Sequence, residues 1–248
     1  LGIDYFILDK DTKNFKSLIK KSLEKSIKSS EPFAIVVRKN SFKKKEIPIK
    51  SSNSNLLSRE NLIKIIVKSL PNYVSIISTT GFTSRELFEI RDFHEMSHAN
   101  DFLTIGGMGH ASQIAAGIAL AKPNHRILCI DGDGSLLMHA GSMAVNATCS
   151  NLIHIVINNG VHDSVGGQPT HTKNLLFSGL AKSFGYEITI TVDNEADFIK
   201  CLKKSFTIKK SCFIEVMSEK GARSNLGRPD LSTYDIKKLF MEGLKKSD

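Results

Sequence analysis

Apolar positions recur along this chain in two rhythms, and the organisation changes near residue 59. Over residues 13–29, Phe15, Leu18, Ile19, Leu23 and Ile27 fall near a 3.6-residue period with lysines between them, which predicts an amphipathic helix. Pro32 and then the short apolar run 33–37 follow, and that run reads as a strand. Residues 1–42 therefore look like the tail of an α/β domain. Residues 43–58 are rich in Lys, Ser and Asn without periodicity and read as a linker. From Arg59 to residue 248 helical and strand patterns alternate. Helices are expected over 62–70, 111–121, 136–148 and 175–184. Strands are expected over 73–78, 126–131, 151–157, 187–192 and 211–216. Strands that are apolar on both faces must be covered on both faces, so the alternation predicts an α/β fold with a doubly wound parallel sheet.

Composition bounds the function more than it defines it. At 248 residues, with 41% apolar and 24% charged positions, the chain has the make-up of a soluble globular protein with one full domain and part of another. No apolar run is long enough to span a bilayer, and no leader pattern is visible, so no membrane role is expected. The four cysteines, Cys129, Cys149, Cys201 and Cys212, form no CxxC pair. Cys129 sits in an apolar run and reads as a reduced, buried thiol, which favours a cytoplasmic location. The net charge of +9 comes from lysines concentrated in the first and last stretches. They lack the interleaved aromatics of a nucleic-acid surface, so no nucleic-acid partner is expected. A solvated lysine face attracts small anionic substrates instead.

The candidate chemistry lies in Asp131-Gly132-Asp133-Gly134-Ser135, between an expected strand and an expected helix. Glycines there permit a tight turn and close approach of a ligand to the backbone, and the helix start attracts phosphate. Alone, such a turn is equally a structural one. Asn158-Asn159-Gly160 follows the next expected strand, and Asn159 stands 26 positions after Asp133. A right-handed βαβ unit returns the chain to the same sheet edge over such a distance. Asp133 and Asn159 can then converge where open sheets bind ligands, and their oxygens suit Mg²⁺.

This pairing resembles the fingerprint of thiamine diphosphate-dependent enzymes. Thr79-Thr80-Gly81-Phe82-Thr83-Ser84-Arg85, Ile105-Gly106-Gly107-Met108-Gly109-His110, the run from Asn158 to Thr170 and the segment from Gly221 to Pro229 resemble the phosphonopyruvate decarboxylase family, with sulfopyruvate decarboxylase as a near relative. The likeness covers about residues 55–232. It implies that residues 59–248 are a pyrophosphate-binding domain and 1–42 the end of a pyrimidine-binding domain. It further implies decarboxylation of 3-phosphonopyruvate to phosphonoacetaldehyde and CO₂ in phosphonate biosynthesis. Sulfopyruvate as substrate, or a non-catalytic cofactor-binding subunit, are the alternatives.

By the same resemblance, thiamine diphosphate and Mg²⁺ are the cofactors. Asp133 and Asn159 through their side chains, and Val161 through its carbonyl, would be the metal ligands. Thr80, Gly81, Gly109, Gly134 and Ser135 would meet the cofactor, Gly106 would accept from its aminopyrimidine, and Met108 would wedge between its rings. A core methionine is the alternative for Met108. Ser84 and Arg85 are expected at the anionic substrate and His110 and His162 as proton carriers. Arg223 and Arg228 are further substrate candidates, and Asp163 reads equally as a loop cap. His139 and His154 read as structural. The family's cofactor-activating glutamate has no counterpart here, since Glu24 and Glu31 lie in or beside the lysine-rich helix. It is expected upstream of Leu1 or on a complementary pyrimidine-domain chain, so a homo-oligomer or such a partner is implied.

Overall fold

The computed structural model describes residues 2–43 and 55–246. The chain divides into two compact units, Leu1–Ser51 and Ser52–Asp248. Residues 44–54 of the expected linker lie outside the described residues. Its last part already belongs to the second unit, where Leu57 bridges in parallel to Ser218.

The first unit is a single βαβ turn: β1 (Asp4–Leu8), α1 (Phe15–Ser29) and β2 (Phe33–Val37). β1 and β2 pair in parallel, from Asp4 opposite Phe33 to Leu8 opposite Val37. Helix and second strand fall where the periodicity puts them, while β1 went unread. Tyr5, Leu23, Ile27 and Val36 stay exposed, so two strands and one helix do not close a core here.

The second unit contains α2 (Arg59–Ser69), β3 (Val74–Ser78), α3 (Phe82–Phe93), β4 (Asp101–Leu103), α4 (Ala111–Ala121) and β5 (Arg126–Gly132). Then come α5 (Asp133–Met138), α6 (Met143–Asn146), β6 (Leu152–Asn158) and a small hairpin of β7 (Val161–His162) and β8 (Gln168–Pro169). The unit ends with α7 (Phe177–Ser183), β9 (Ile188–Val192), α8 (Glu195–Thr207), β10 (Cys212–Met217) and α9 (Thr233–Lys246). No helix among the described residues is long and apolar enough to cross a membrane.

Six strands form one parallel sheet in the order β4-β3-β5-β6-β10-β9. Successive residues of β5 and β6 point to opposite faces, so each face receives its own apolar set. Leu128, Ile130, Ile153 and Ile155 pack with Ile63 and Ile66 of α2 and with Phe198 and Leu202 of α8. On the other face Ile127 and Leu152 pack under Ala111, Ala115 and Ala119 of α4 and Phe240 of α9. Val156 and Phe213 join Phe177 and Ala181 of α7 on that same side. Burying one such Ile or Leu is worth roughly 1.5–3 kcal/mol, so both faces contribute to stability.

Several elements differ from expectation, the short strand β4 among them. The helix expected over 136–148 breaks into α5, a 3-10 turn at Ala140–Ser142 and α6. His139 leaves helical geometry at φ −139°, and Gly141 follows it where helix propensity is lowest. α3 begins inside the Thr79–Arg85 motif, which hid its periodicity. α8 and α9 were also passed over, although Asn194 caps α8 by accepting from the Asp197 N–H at 3.0 Å.

Candidate functional site

The chain runs from β3 outward to β4 and returns to β5 on the other side, so the strand order reverses between β3 and β5. Open α/β sheets carry their ligand crevice at such a point, beyond the carboxyl ends of the strands. A half-open cleft lies there. Thr79, Thr80 and Phe82 enter it from the end of β3, Gly132 to Ser135 from β5, and Asn159, Val161 and His162 from β6, while Met108 comes from the loop after β4.

β5 and β6 are neighbours, with Gly132 opposite Ile157, and this register carries Asp133 and Asn159 to one edge. Asp133 is buried. Its Oδ2 accepts from the hydroxyls of Thr170 and Thr172, the latter at 3.1 Å. Among the described residues it has no cationic partner. Burial pushes its carboxyl above the usual carboxylate range, and the two threonine hydroxyls oppose that shift. A buried carboxylate that has hydrogen-bond donors but no cation beside it fits a hard cation, and the Asn159 amide oxygen and Val161 carbonyl are donors of the same hardness.

Asn159 is oriented from behind. Its Nδ2 donates to Asp163 Oδ2 at 2.7 Å, while its Oδ1 accepts the Val161 N–H at 3.1 Å. Asp163 Oδ2 also accepts from Arg59 Nη1 at 3.1 Å and from the Gly221 N–H at 2.9 Å. Arg59 is buried and grips Glu86 with two bonds, at 2.8 and 2.9 Å. Asp163 is therefore the junction of a buried network rather than a simple loop cap. The chain order gave no hint of this, since Arg59 and Asp163 are 104 positions apart.

Three of the motif segments meet at one oxygen. Ser135 Oγ lies 2.8 Å from Thr79 Oγ1 and accepts the Gly109 N–H at 3.0 Å. A Cβ on Gly109 would come within 2.9 Å of the Ser135 carbonyl, and its φ of +86° favours glycine as well. Ser135 thus spends its hydroxyl on the frame, leaving its backbone N–H in the first turn of α5 for an anion. Likewise, a Cβ on Gly134 would stand 2.4 Å from Cε1 of His162, so only glycine lets that ring lie over the turn.

Other expected residues fall outside the cleft. Ser84 is buried, and its hydroxyl donates to the Thr79 carbonyl at 2.6 Å and meets Ser78 Oγ at 2.7 Å. These bonds tie the start of α3 to the end of β3. Arg85 is half-buried, 5.5 Å from the ring of Phe82, whose side chain does enter the cleft. His110 is exposed, with Nδ1 3.1 Å from the Gly107 carbonyl and its ring 4.4 Å from that of His139. Gly81 and Gly106 take positive φ at the flanking turns and do not line the cleft. Arg223 pairs with Glu60 and Glu89, so its charge is already matched away from the cleft. Arg228 is exposed. The missed participants are Arg59, Thr79 and the Thr170–Thr172 pair; Thr79 and Thr170 stood within quoted motifs, while Arg59 carried no local signal.

Comparison with known proteins gives the family. The family described as thiamine pyrophosphate enzyme, C-terminal TPP binding domain, matches residues 79–216. Phosphonopyruvate decarboxylase of Streptomyces hygroscopicus is 32% identical over 75% of this chain and 45% of its own length. Sulfopyruvate decarboxylase subunit beta of Methanocaldococcus jannaschii is 32% identical over 76% of this chain and 98% of its own. The chain thus spans under half of the first relative and nearly all of the second. The crystal structure of benzoylformate decarboxylase from Polynucleobacter necessarius superposes with a TM-score of 0.60 at 14% identity, over 74% of this chain and 37% of that one. That likeness shows the fold. The match runs from just after β3 into β10 and takes in the cleft residues from Thr79 to Ser164, so this chain belongs to the thiamine pyrophosphate enzymes and carries their C-terminal, cofactor-binding domain.

Proposed function

We propose that this chain forms the pyrophosphate-binding half of a thiamine diphosphate- and Mg²⁺-dependent decarboxylase acting on 3-phosphonopyruvate. The observation that carries the reading is the buried, cation-free carboxylate of Asp133 beside Asn159 at the switch-point cleft. Asp133, Asn159 and the Val161 carbonyl would hold Mg²⁺, and the N–H groups of Gly134 and Ser135 would receive the diphosphate. Thr80, Gly81 and Gly109 would shape the walls, Gly106 would accept from the aminopyrimidine, and Met108 would support the bent cofactor. When bound, thiamine diphosphate supplies the nucleophile and electron sink on which a 2-oxo acid loses CO₂.

The chain's own residues bind, orient and exclude water. Arg59 and Asp163 fix the Asn159 amide so that its oxygen faces the cleft. His162, held over Gly134, is placed to move a proton at the cleft wall, and His110 stands outside it as a second proton carrier. Arg85 and the lysine-rich surface supply positive charge for a phosphonate. A complementary pyrimidine-binding domain, from a second copy or a separate chain, would close the site.

A second reading has specific support. The Methanocaldococcus relative is named as a subunit and is matched over 98% of its length. Sulfopyruvate as substrate, with a partner chain carrying the other half, follows from it. Supplying the complementary domain and comparing CO₂ release from the two acids separates the readings. Faster turnover of 3-phosphonopyruvate is expected. A preference for 3-sulfopyruvate selects the second reading, and no turnover of either acid with cofactor bound defeats both.

A further inference from the structure

We propose that Cys129, Asp131 and His154 form a buried zinc site in the second unit, separate from the cofactor cleft. The three side chains come from two neighbouring strands, with Cys129 of β5 directly opposite His154 of β6. All three are fully buried, and their ligand atoms lie within 4.8 Å of one another. They occupy the sheet face between the packing under α4 and the cluster of Phe177, Tyr186 and Phe213.

Two of these side chains are held by one atom and leave the other bare. Asp131 Oδ1 accepts the Gly132 N–H at 2.9 Å. His154 Nδ1 lies 2.9 Å from the Tyr186 hydroxyl. The remaining atoms, Asp131 Oδ2 and His154 Nε2, are buried without any hydrogen-bond partner. Metal-ligating histidines use this arrangement, giving the outer ring N–H to an oxygen and turning the other lone pair inward.

The separation of the two bare atoms discriminates between occupants. They stand 3.6 Å apart, too far for a hydrogen bond. A water bonded to both at about 2.8 Å would hold them roughly 4.5 Å apart. Tetrahedral zinc, about 2.0–2.1 Å from nitrogen and oxygen, puts its ligands roughly 3.4 Å apart, close to what is seen. Sulfur in the donor set selects zinc over Mg²⁺, which takes oxygen. Thiolate, carboxylate and neutral imidazole also cancel the ion's charge, which a dry interior requires. Such an ion would tie β5 to β6 directly beneath the Asp133 turn.

The test uses the full chain, refolded with zinc or with Co²⁺ and freed of loose metal by gel filtration. Elemental analysis should find about one zinc per chain, and the Co²⁺ form should absorb in the near ultraviolet by thiolate-to-metal charge transfer. Cys129→Ala and His154→Gln should lose the zinc, Cys129→Ser should lose the absorption band, and Asn159→Ala should keep the zinc. Less than about a tenth of an equivalent on the folded, unaltered chain would overturn the proposal. So would a cobalt form without the thiolate band, which needs no variant to fold. Zinc retained in both Cys129→Ala and His154→Gln, or lost with Asn159→Ala, would likewise overturn it.

Discussion

Two groups of buried or half-buried carboxylates stand at the carboxyl edge of the sheet, and the chain supports them in different ways. Glu86 and Asp163 share the guanidinium of Arg59, and the backbone N–H of Gly221 adds one more bond. Asp133 has the hydroxyls of Thr170 and Thr172 and nearby backbone N–H groups, but no cation among the described residues. Glu86 and Asp133 are both buried, so burial alone does not distinguish a structural network from a binding position. The source of the positive charge does. Arg59 brings a cation to its two carboxylates from within the chain, whereas Asp133 has none among the described residues, which leaves room for a cation to join it from outside.

The largest expected effect tests the open side. Asp133→Ala should weaken Mg²⁺-dependent thiamine diphosphate binding by about 100-fold or more, read by calorimetry with and without the metal. Tight, metal-dependent binding by that variant would remove the contrast altogether. The closed side should answer in stability instead. Arg59→Met strands Glu86 and Asp163 in the interior and should cost about 3–5 kcal/mol in denaturant unfolding. A cost below about 1 kcal/mol would mean that the network is hydrated and its charges are screened.

The smallest effect is a pH dependence. Because burial raises the Asp133 carboxyl in the metal-free chain, the folded state holds its proton to higher pH than the unfolded state does. Stability from this group is fully present below the unfolded carboxyl range and is lost as pH rises through the raised folded value. Asp133→Asn should therefore be more stable than the unaltered chain at neutral pH without metal, and the difference should fade in acid. Thermal unfolding across pH measures both. An Asn variant that is no more stable at pH 7 would show that the threonine hydroxyls suffice to hold the charge.

The sheet was legible because its strands are short, apolar and separated by helices of ordinary length. The placement of Asp133 and Asn159 followed from one topological rule, that a right-handed crossover returns the chain beside its starting strand. What surrounds them was not legible. Arg59 reads as an ordinary first-turn residue of α2, and nothing near it points to Asp163. A motif also does not say where each hydroxyl points: that of Ser84 turns back onto the strand it follows. The break at His139 depends on one φ angle that a helical pattern of Leu, Met and Ala does not reveal. Periodicity reports which face is covered. It does not report which polar atoms find each other.

One hydroxyl has reach beyond its size. Because Ser135 Oγ meets Thr79 Oγ1 and the Gly109 N–H together, three loops share a fastener. Loosening any one of them strands a donor or acceptor in the others, so they should gain and lose order in concert. Evolution is thereby discouraged from altering these segments singly; a change in one invites compensation in its two companions.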